Sequence, residues 1–243
     1  MKLAAAAAVP ANRSVQVQQQ HREQHQVEQQ TLEGGRRKEL QSMMQMPNDL
    51  HRRLQEADSW IQRGQDIDGE TVNDHSEQSV STSADGTVVA IGAIFNDGNG
   101  GVSGRVRVFE WNGSTWTQRG LDIEGEATGD FFGVPVSLSS DGTVSAVGAP
   151  SNDGNGILDS GYVRVLKYDG STWIQRGLNI DGEASEDFSG FSVSLSSDGT
   201  IVAVGAPFNN NNDSGHVRVL EWNGSTWTQR GLDIDGEAAG DLS

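Results

Sequence analysis

The segment Phe191–Pro207, FSVSLSSDGTIVAVGAP, carries the clearest evidence for the fold of this chain. Strand-forming residues alternate on both sides of its central Asp198-Gly199, a dipeptide that favours the tight turn of a β-hairpin. The segment Val217–Gly231, VRVLEWNGSTWTQRG, repeats this design around Asn223-Gly224. Two consecutive hairpins make four antiparallel strands, so we expect one four-stranded unit over these two segments.

The same unit recurs along the chain at a nearly constant period. The string W-[IT]-Q-R-G begins at Trp60, Trp116, Trp173 and Trp227, at spacings of 56, 57 and 54 residues. The strings D-G-T, G-A-[IP] and [DE]-G-E recur between these tryptophans. A four-stranded meander repeated at this length is typical of β-propeller blades. The sequence therefore predicts an all-β propeller fold, with blades at about 71–126, 127–183 and 184–237.

The number of repeats predicts an incomplete β-propeller. Three four-stranded blades are fewer than the roughly four to eight that close a ring. Trp60 to Gly69 match only the last strand of a blade and are expected to form an orphan strand, while Gly236–Ser243 match the start of another blade. Two hypotheses stay open: a fragment or truncated gene model, or a chain that completes its ring by self-association through open blade edges.

The N-terminal segment, residues 1–58, has a different composition from the repeats at 59–243. Val15–Gln30 is rich in glutamine and poor in apolar residues, which predicts a disordered or short-helical, low-complexity segment. Lys2, the alanine-rich run after it and Ala11 form a short version of a secretory signal. The apolar run is far shorter than the roughly 20 residues of a membrane span, so no transmembrane segment is expected.

Charge and cysteine content exclude several classes of function. Residues 1–58 carry 8 Lys and Arg and 7 Asp and Glu, which leaves 9 and 27 for the repeats, a net charge of -18. So acidic a surface repels phosphate backbones, and nucleic acid is not an expected partner. The absence of cysteine excludes disulfides, thiolate metal sites and a cysteine nucleophile.

The repeats resemble the FG-GAP repeats of integrin α-subunit-like propellers. Phe132-Gly133 leads, one hairpin later, to Gly148-Ala149-Pro150, and Ser189-Gly190 leads to Gly205-Ala206-Pro207. The resemblance covers residues 60–243. It implies an extracellular or cell-surface propeller that binds protein partners; because the signal sequence is short, a cytoplasmic location also stays open.

Many members of that family carry a calcium loop, D-x-D-x-D-G-x-x-D, but here Ser139–Gly142 offers only one carboxylate at that place. A second set of oxygen-bearing residues follows the G-A-[IP] strings. The calcium candidates are Asp97, Asn99, Asp153, Asn155, Asp159 and Asp213. Such residues can wrap a calcium ion, and they equally suit exposed turns. No other cofactor is expected.

The repeats carry no recognisable catalytic motif. They contain two histidines, His75 and His216, and their paired carboxylates recur in every repeat, unlike a single active centre. We therefore expect a non-enzymatic scaffold for a protein or glycan partner. The alternatives are part of an enzyme-associated propeller, with catalytic residues in missing blades, or a truncated non-functional product.

Two further features concern the surface. Asn112, Asn212 and Asn223 begin Asn-x-Ser sequons, which would be glycosylation sites in a secreted chain and are also good turn sequences. Each repeat tryptophan faces an aromatic residue across a turn, as Trp116 faces Trp111. Such pairs predict cross-strand stacking at the interface between blades, with glycan stacking as the alternative.

Overall fold

The computed structural model describes Lys38 and residues 60–70, 76–96, 101–208 and 214–238. The chain divides into two units, residues 1–61 and 62–243. The predictions for the N-terminal segment, which include its short helices and its signal, lie outside the described residues. Among the residues that are described, no helix has the length and apolarity that a membrane crossing requires.

The described part of the second unit is all-β and forms three antiparallel sheets, which we call blades 1 to 3. Blade 1 comprises β1 (Ser76–Thr82), β2 (Val88–Ala93), β3 (Arg105–Trp111), β4 (Trp116–Gln118) and β5 (Ile123–Glu124). Blade 2 comprises β6 (Val136–Leu138), β7 (Val144–Ala149), β8 (Tyr162–Tyr168), β9 (Trp173–Gln175) and β10 (Ile180–Asp181). Blade 3 comprises β11 (Ser192–Leu195), β12 (Ile201–Ala206), β13 (His216–Trp222), β14 (Trp227–Gln229) and β15 (Ile234–Asp235). The prediction of an incomplete β-propeller with three blades is confirmed.

The predicted fourth strand of each blade is interrupted. In blade 2, β9 pairs with the end of β8, where Trp173 faces Tyr168, and β10 pairs with its beginning. Gly177, between the two pieces, has a φ of +84°, a conformation that glycine adopts without a steric penalty. The break turns the next residue outward, so Leu178 is 83% exposed, and Leu121 and Leu232 are exposed at the same place in their blades.

The hydrophobic core lies between blades rather than inside one blade. One cluster joins blade 1 to blade 2. It contains Val106 and Val108 of blade 1 and Val136, Tyr162 and Trp173 of blade 2. A second cluster joins blade 2 to blade 3 through equivalent positions, such as Val163 and Val165. Successive residues of a strand therefore pack at the two junctions on opposite faces of the blade. This explains why a single strand is apolar on both faces.

Each blade junction requires glycine where the two backbones approach. A Cβ atom on Gly148 would lie 2.1 Å from the carbonyl oxygen of Gly190, the glycine that opens blade 3. Gly92 stands in the same relation to Gly133 at the previous junction. The paired glycine strings of the sequence thus mark the inner contact between consecutive blades.

One arginine in the third strand of each blade reaches the preceding repeat. Arg218 donates to the carbonyl oxygen of Asp181 at 2.6 Å and pairs with Glu183 at 3.4 Å. Arg164 makes the equivalent contacts with the carbonyl oxygen of Glu124 and the carboxylate of Glu126. These bonds explain why V-R-V and [DE]-G-E recur together.

The segment predicted as an orphan strand, Trp60–Gly69, forms no strand among the described residues, and this detail of the prediction is corrected. A strand needs a backbone partner, and no described residue pairs with it. Residues 62–70 nevertheless lie where a fourth strand lies at the other junctions. The carbonyl oxygen of Arg63 accepts a hydrogen bond from Trp116 Nε1 at 2.8 Å, as that of Arg119 does from Trp173.

Candidate functional site

The antiparallel meander sorts the connections of each blade to two ends. The turns β1–β2 and β3–β4 and their equivalents lie at one end, which we call the hairpin end. The β2–β3 connection and the link to the next blade lie at the other, the loop end. Two isolated parallel bridges, Gly104 to Phe132 and Gly161 to Ser189, join these loops across neighbouring blades at the loop end.

The loop end holds most of the unusual backbone in the described residues. Val102 and Phe131 have positive φ angles and bond to each other, because the Phe131 N–H donates to the Val102 carbonyl oxygen. Asp159 and Phe188 repeat this arrangement at the next junction. Left-handed conformations of non-glycine residues carry strain and cluster at binding sites, so this end is the first place to look for function.

Two buried aspartates anchor the links between blades. Asp130 accepts a hydrogen bond from the Ala127 N–H at 2.8 Å, and Asp187 accepts one from the Ala184 N–H at the same distance. Burial raises the pKa of the Asp130 carboxyl, although bonds from Ala127 and the Asn152 side chain oppose the rise. Both residues escaped the sequence predictions, although an aspartate stands at the same place in each repeat, before Phe131 or Phe188.

Two calcium candidates of blade 2, Asp153 and Asn155, make hydrogen bonds to the protein itself. Asp153 accepts a hydrogen bond from the Asp159 N–H at 3.0 Å, so it closes its own loop. Asn155 donates instead to Asp181 of β10, at 2.5 Å. Within the described residues, no group of three or more His, Asp or Glu side chains could hold a metal ion. Asp97, Asn99 and Asp213 lie outside the described residues.

A polar pocket of about 450 Å³ opens at the loop end, where the link from blade 1 meets blade 2. We call it the junction pocket. Its walls carry three carboxylates and four amides, from Glu126, Asn152, Asp153, Asn155, Gln175, Asn179 and Asp181. Asn179 Nδ2 donates to Glu126 at 3.4 Å, and Gln175 donates to Asn179 at 2.9 Å.

The negative charges of the junction pocket lie close enough to affect one another. Burial raises the pKa of Asp181, and the charge of Glu126 adds to this rise, whereas the bond from Asn155 and the charge of Arg218 oppose it. The cation nearest to Glu126 is Arg164, at 3.4 Å. The pocket therefore presents hydrogen-bond acceptors to solvent, and its three carboxylates outnumber the two arginines, Arg164 and Arg218, that interact with them.

An apolar groove of about 540 Å³ lies on the other side of Leu178, between blades 2 and 3. We call it the junction groove. Ile180, Leu220 and Trp227 contribute its apolar lining, and Leu178, Asn179 and Asp181 line both the groove and the pocket. The exposed Leu178 side chain thus forms a ridge between an acidic cavity and an apolar one.

The tryptophan pairs contact each other as predicted. The ring centroids of Trp222 and Trp227 lie 5.4 Å apart, and those of Trp111 and Trp116 lie at the same distance. Trp227 also packs on the core between blades 2 and 3, and Arg176 lies 5.9 Å from its centroid. The indoles are therefore built into the junctions between blades.

The two described sequons lie in exposed turns at the hairpin end. Asn112 Oδ1 accepts hydrogen bonds from the backbone N–H groups of Ser114 and Thr115, both at 3.0 Å. Asn223 makes the same bonds in blade 3. Asn212 lies outside the described residues, and the glycosylation prediction stays a prediction.

A histidine and a tyrosine lie near the loop end, and both are buried. His216, the histidine that the structure describes, lies buried at the start of β13. Tyr162 occupies the equivalent position of blade 2, is fully buried and stacks near Phe132. The accessible chemistry of the site is consequently that of carboxylates, amides and one apolar ridge.

Solved structures of low sequence identity align with part of this chain. No family model and no curated protein matches the chain. Two solved structures named as candidate 6-phosphogluconolactonases, from Bacteroides fragilis and Bacteroides uniformis, share 14% identity with it. They align over 65% and 69% of this chain, at TM-scores of 0.45 and 0.48. Kuenenia stuttgartiensis hydrazine synthase aligns over 75%, with 14% identity and a TM-score of 0.44. The alignments span 38%, 43% and 41% of those proteins' own chains.

Proposed function

We propose that this chain is a non-enzymatic interaction scaffold, built from FG-GAP-type repeats, that binds a protein or glycan partner through its loop end. We place that function outside the cell or at the cell surface. The observation that carries the proposal is the junction pocket, an open cavity lined by Glu126, Asp153, Asp181 and four amides. These groups can accept and donate hydrogen bonds, but none of them is an activated nucleophile.

The scaffold itself supports this function. The blades hold the loop end by glycine contacts and arginine bonds at each junction, so the pocket walls come from rigid elements. A preformed site loses less conformational entropy on binding than a mobile one. Repetition also places similar loops side by side, which suits a partner that contacts several blades at once.

Binding measurements with the full chain test the proposal. The chain is immobilised and exposed to a glycan array and to soluble proteins of basic, neutral and acidic charge. We expect saturable binding that weakens about tenfold in the double variant Glu126→Gln, Asp181→Asn, which corresponds to ~1.4 kcal/mol. Both substitutions keep side-chain size and remove charge.

The matched control is Asp169→Asn at the hairpin end. It introduces the residue that blades 1 and 3 already carry at this turn, Asn112 and Asn223, and should leave binding unchanged. Equal losses in the control and the double variant would exclude the loop end as the binding surface. Absence of saturable binding to every probe would count against an interaction scaffold altogether.

A further inference from the structure

The Leu178 ridge combines two features that are usually separate on a protein surface. On one side, the junction pocket presents the carboxylates of Glu126, Asp153 and Asp181. On the other, the junction groove is lined by Leu220 and Trp227, with Arg218 beside them. Because the two cavities share three lining residues, groups bound in the two cavities would lie next to each other.

The acidic side suits a cation. Burial and the charge of Glu126 disfavour the charged form of Asp181, and Arg218 and Asn155 oppose this effect only in part, so a further positive group would stabilise the carboxylate. An ammonium or guanidinium in the pocket would meet charge-assisted acceptors, which are stronger than neutral ones. The net charge of -18 on the repeats adds a long-range attraction for positive partners.

The groove side suits an apolar side chain rather than a sugar ring. The Trp227 N–H already donates to the carbonyl oxygen of Arg176 at 2.8 Å, and its ring is covered by Trp222 and the core between blades. Trp227 is therefore partly buried by the protein itself, which leaves less of its ring for a sugar to stack on. An apolar group that covers the exposed Leu178 side chain, by contrast, removes apolar surface from water, and this favours binding.

We infer that the Leu178 ridge docks a segment of a partner protein that carries a basic side chain close to an apolar one. The basic side chain enters the junction pocket, and the apolar side chain lies in the junction groove against Leu178. This inference rests on the proposed function and narrows it to one class of partner. An apolar anchor beside a complementary charge is a common arrangement of interface hot spots.

The test uses short synthetic peptides and the full chain, with affinity measured by fluorescence anisotropy. The peptides share a Gly-Ser frame and carry Lys with Leu, Lys with Ser, or Glu with Leu. We expect the Lys-Leu peptide to bind at least about tenfold more tightly than the other two. Raising the salt concentration from about 0.1 M to about 1 M should weaken its binding, because the charges are screened.

Leu178→Ser is the diagnostic variant, since an exposed side chain can be changed without loss of the fold. It should weaken the Lys-Leu peptide about tenfold. The control is Leu232→Ser, which changes the equivalent residue of blade 3, 90% exposed, outside the pocket and the groove. It should leave the affinity unchanged.

Three results would overturn the inference. One is equal affinity for all three peptides, and another is an equal effect of the two leucine variants. The third is saturable glycan binding that Leu178→Ser weakens while no peptide binds; this would reject the basic-peptide partner and leave the interaction scaffold standing. Failure of every peptide, glycan and protein probe would reject both.

Discussion

The face of blade 2 that meets blade 3 and the corresponding face of blade 3 have almost the same residues in different surroundings. Val165 and Ile180 on the first face are 1% and 5% exposed. Their equivalents on blade 3 are Val219, which is half-buried, and Ile234, which is 61% exposed. No described residue covers that face of blade 3. The repeat therefore encodes a surface whose contribution to stability depends on a neighbour.

The junction between blades, and not the single blade, is therefore the unit of stability. The second and third strands pair in the same register in blades 2 and 3, as β7–β8 and β12–β13 show. The apolar burial, the glycine contacts and the arginine bonds belong to junctions. In repeat proteins, interfaces between neighbours contribute a large share of the folding free energy.

The largest effect should come from the glycine contact. Gly148→Ala should destabilise the chain by about 3 kcal/mol, because its Cβ would lie 2.1 Å from a backbone oxygen of the next blade. Gly205→Ala, the equivalent in blade 3, would meet only the Ser192 hydroxyl, a side chain that can rotate away. It should stay within about 1 kcal/mol of the unmodified chain.

Urea unfolding of the full chain measures both glycine variants. Equal losses of unfolding free energy in the two variants would contradict this expectation, since they would show that the glycine stabilises the blade itself and not the junction.

A smaller effect is expected in the apolar core. Val165→Ala should cost about 2 kcal/mol, the lost burial plus the cavity left between blades 2 and 3. Val219→Ala should cost about 0.5 kcal/mol, since this valine is only half-buried. Thermal unfolding monitored by circular dichroism gives the two differences.

An equal cost at Val219 would show that another surface covers blade 3 in solution. Self-association through the open face, which the repeat count suggested, would produce this result. Sedimentation at two protein concentrations then distinguishes a second copy from a segment of the same chain.

The smallest effect concerns a feature that should not depend on neighbours. Asp198 accepts hydrogen bonds from the Ser196 hydroxyl and the Thr200 N–H, which lower its pKa to about 2. Ser83 and Thr87 do the same for Asp85 of blade 1. Since the folded-state pKa lies below the ordinary 3.8, these bonds stabilise the fold above about pH 4. That contribution is lost as the pH falls through about 2.

Asp85→Asn and Asp198→Asn should therefore each flatten the fall of stability between about pH 4 and pH 2, and to the same extent. Urea midpoints measured across this range test the expectation. A clear difference between the two variants would mean that the pKa values of these aspartates depend on contacts between blades.

Much of the fold follows from local chemistry and could be predicted. Asp198-Gly199 and Asn223-Gly224 place the hairpins, and the tryptophan spacing sets the length of a blade. The interruption after Trp173–Gln175 was missed, because a single positive φ at Gly177 in an otherwise strand-like pattern leaves no periodic signal. For the same kind of reason Trp60–Gly69 was expected to form a strand: its sequence matches one, but a strand also requires a partner.

The candidate site was predictable only in part. The sequence identified the loop after each G-A-[IP] string as rich in oxygen, and Asp153 and Asn155 do line the junction pocket. It grouped them with Asp159 as calcium candidates, whereas Asn155 bonds to Asp181 of β10. Glu126 and Leu178 gave no signal, since each lies in a string that recurs as a structural part of every repeat.

The all-β repeat, its hairpin turns and its acidic character follow from the amino-acid sequence, since turn geometry and strand alternation depend on residues close along the chain. Tertiary structure alone decided which copy of a repeated residue is buried and which is exposed. It also brought Glu126 and Trp227 to opposite sides of the Leu178 ridge. The physical reason is that burial and charge interactions depend on distance in space, and a junction between blades joins residues about 50 positions apart.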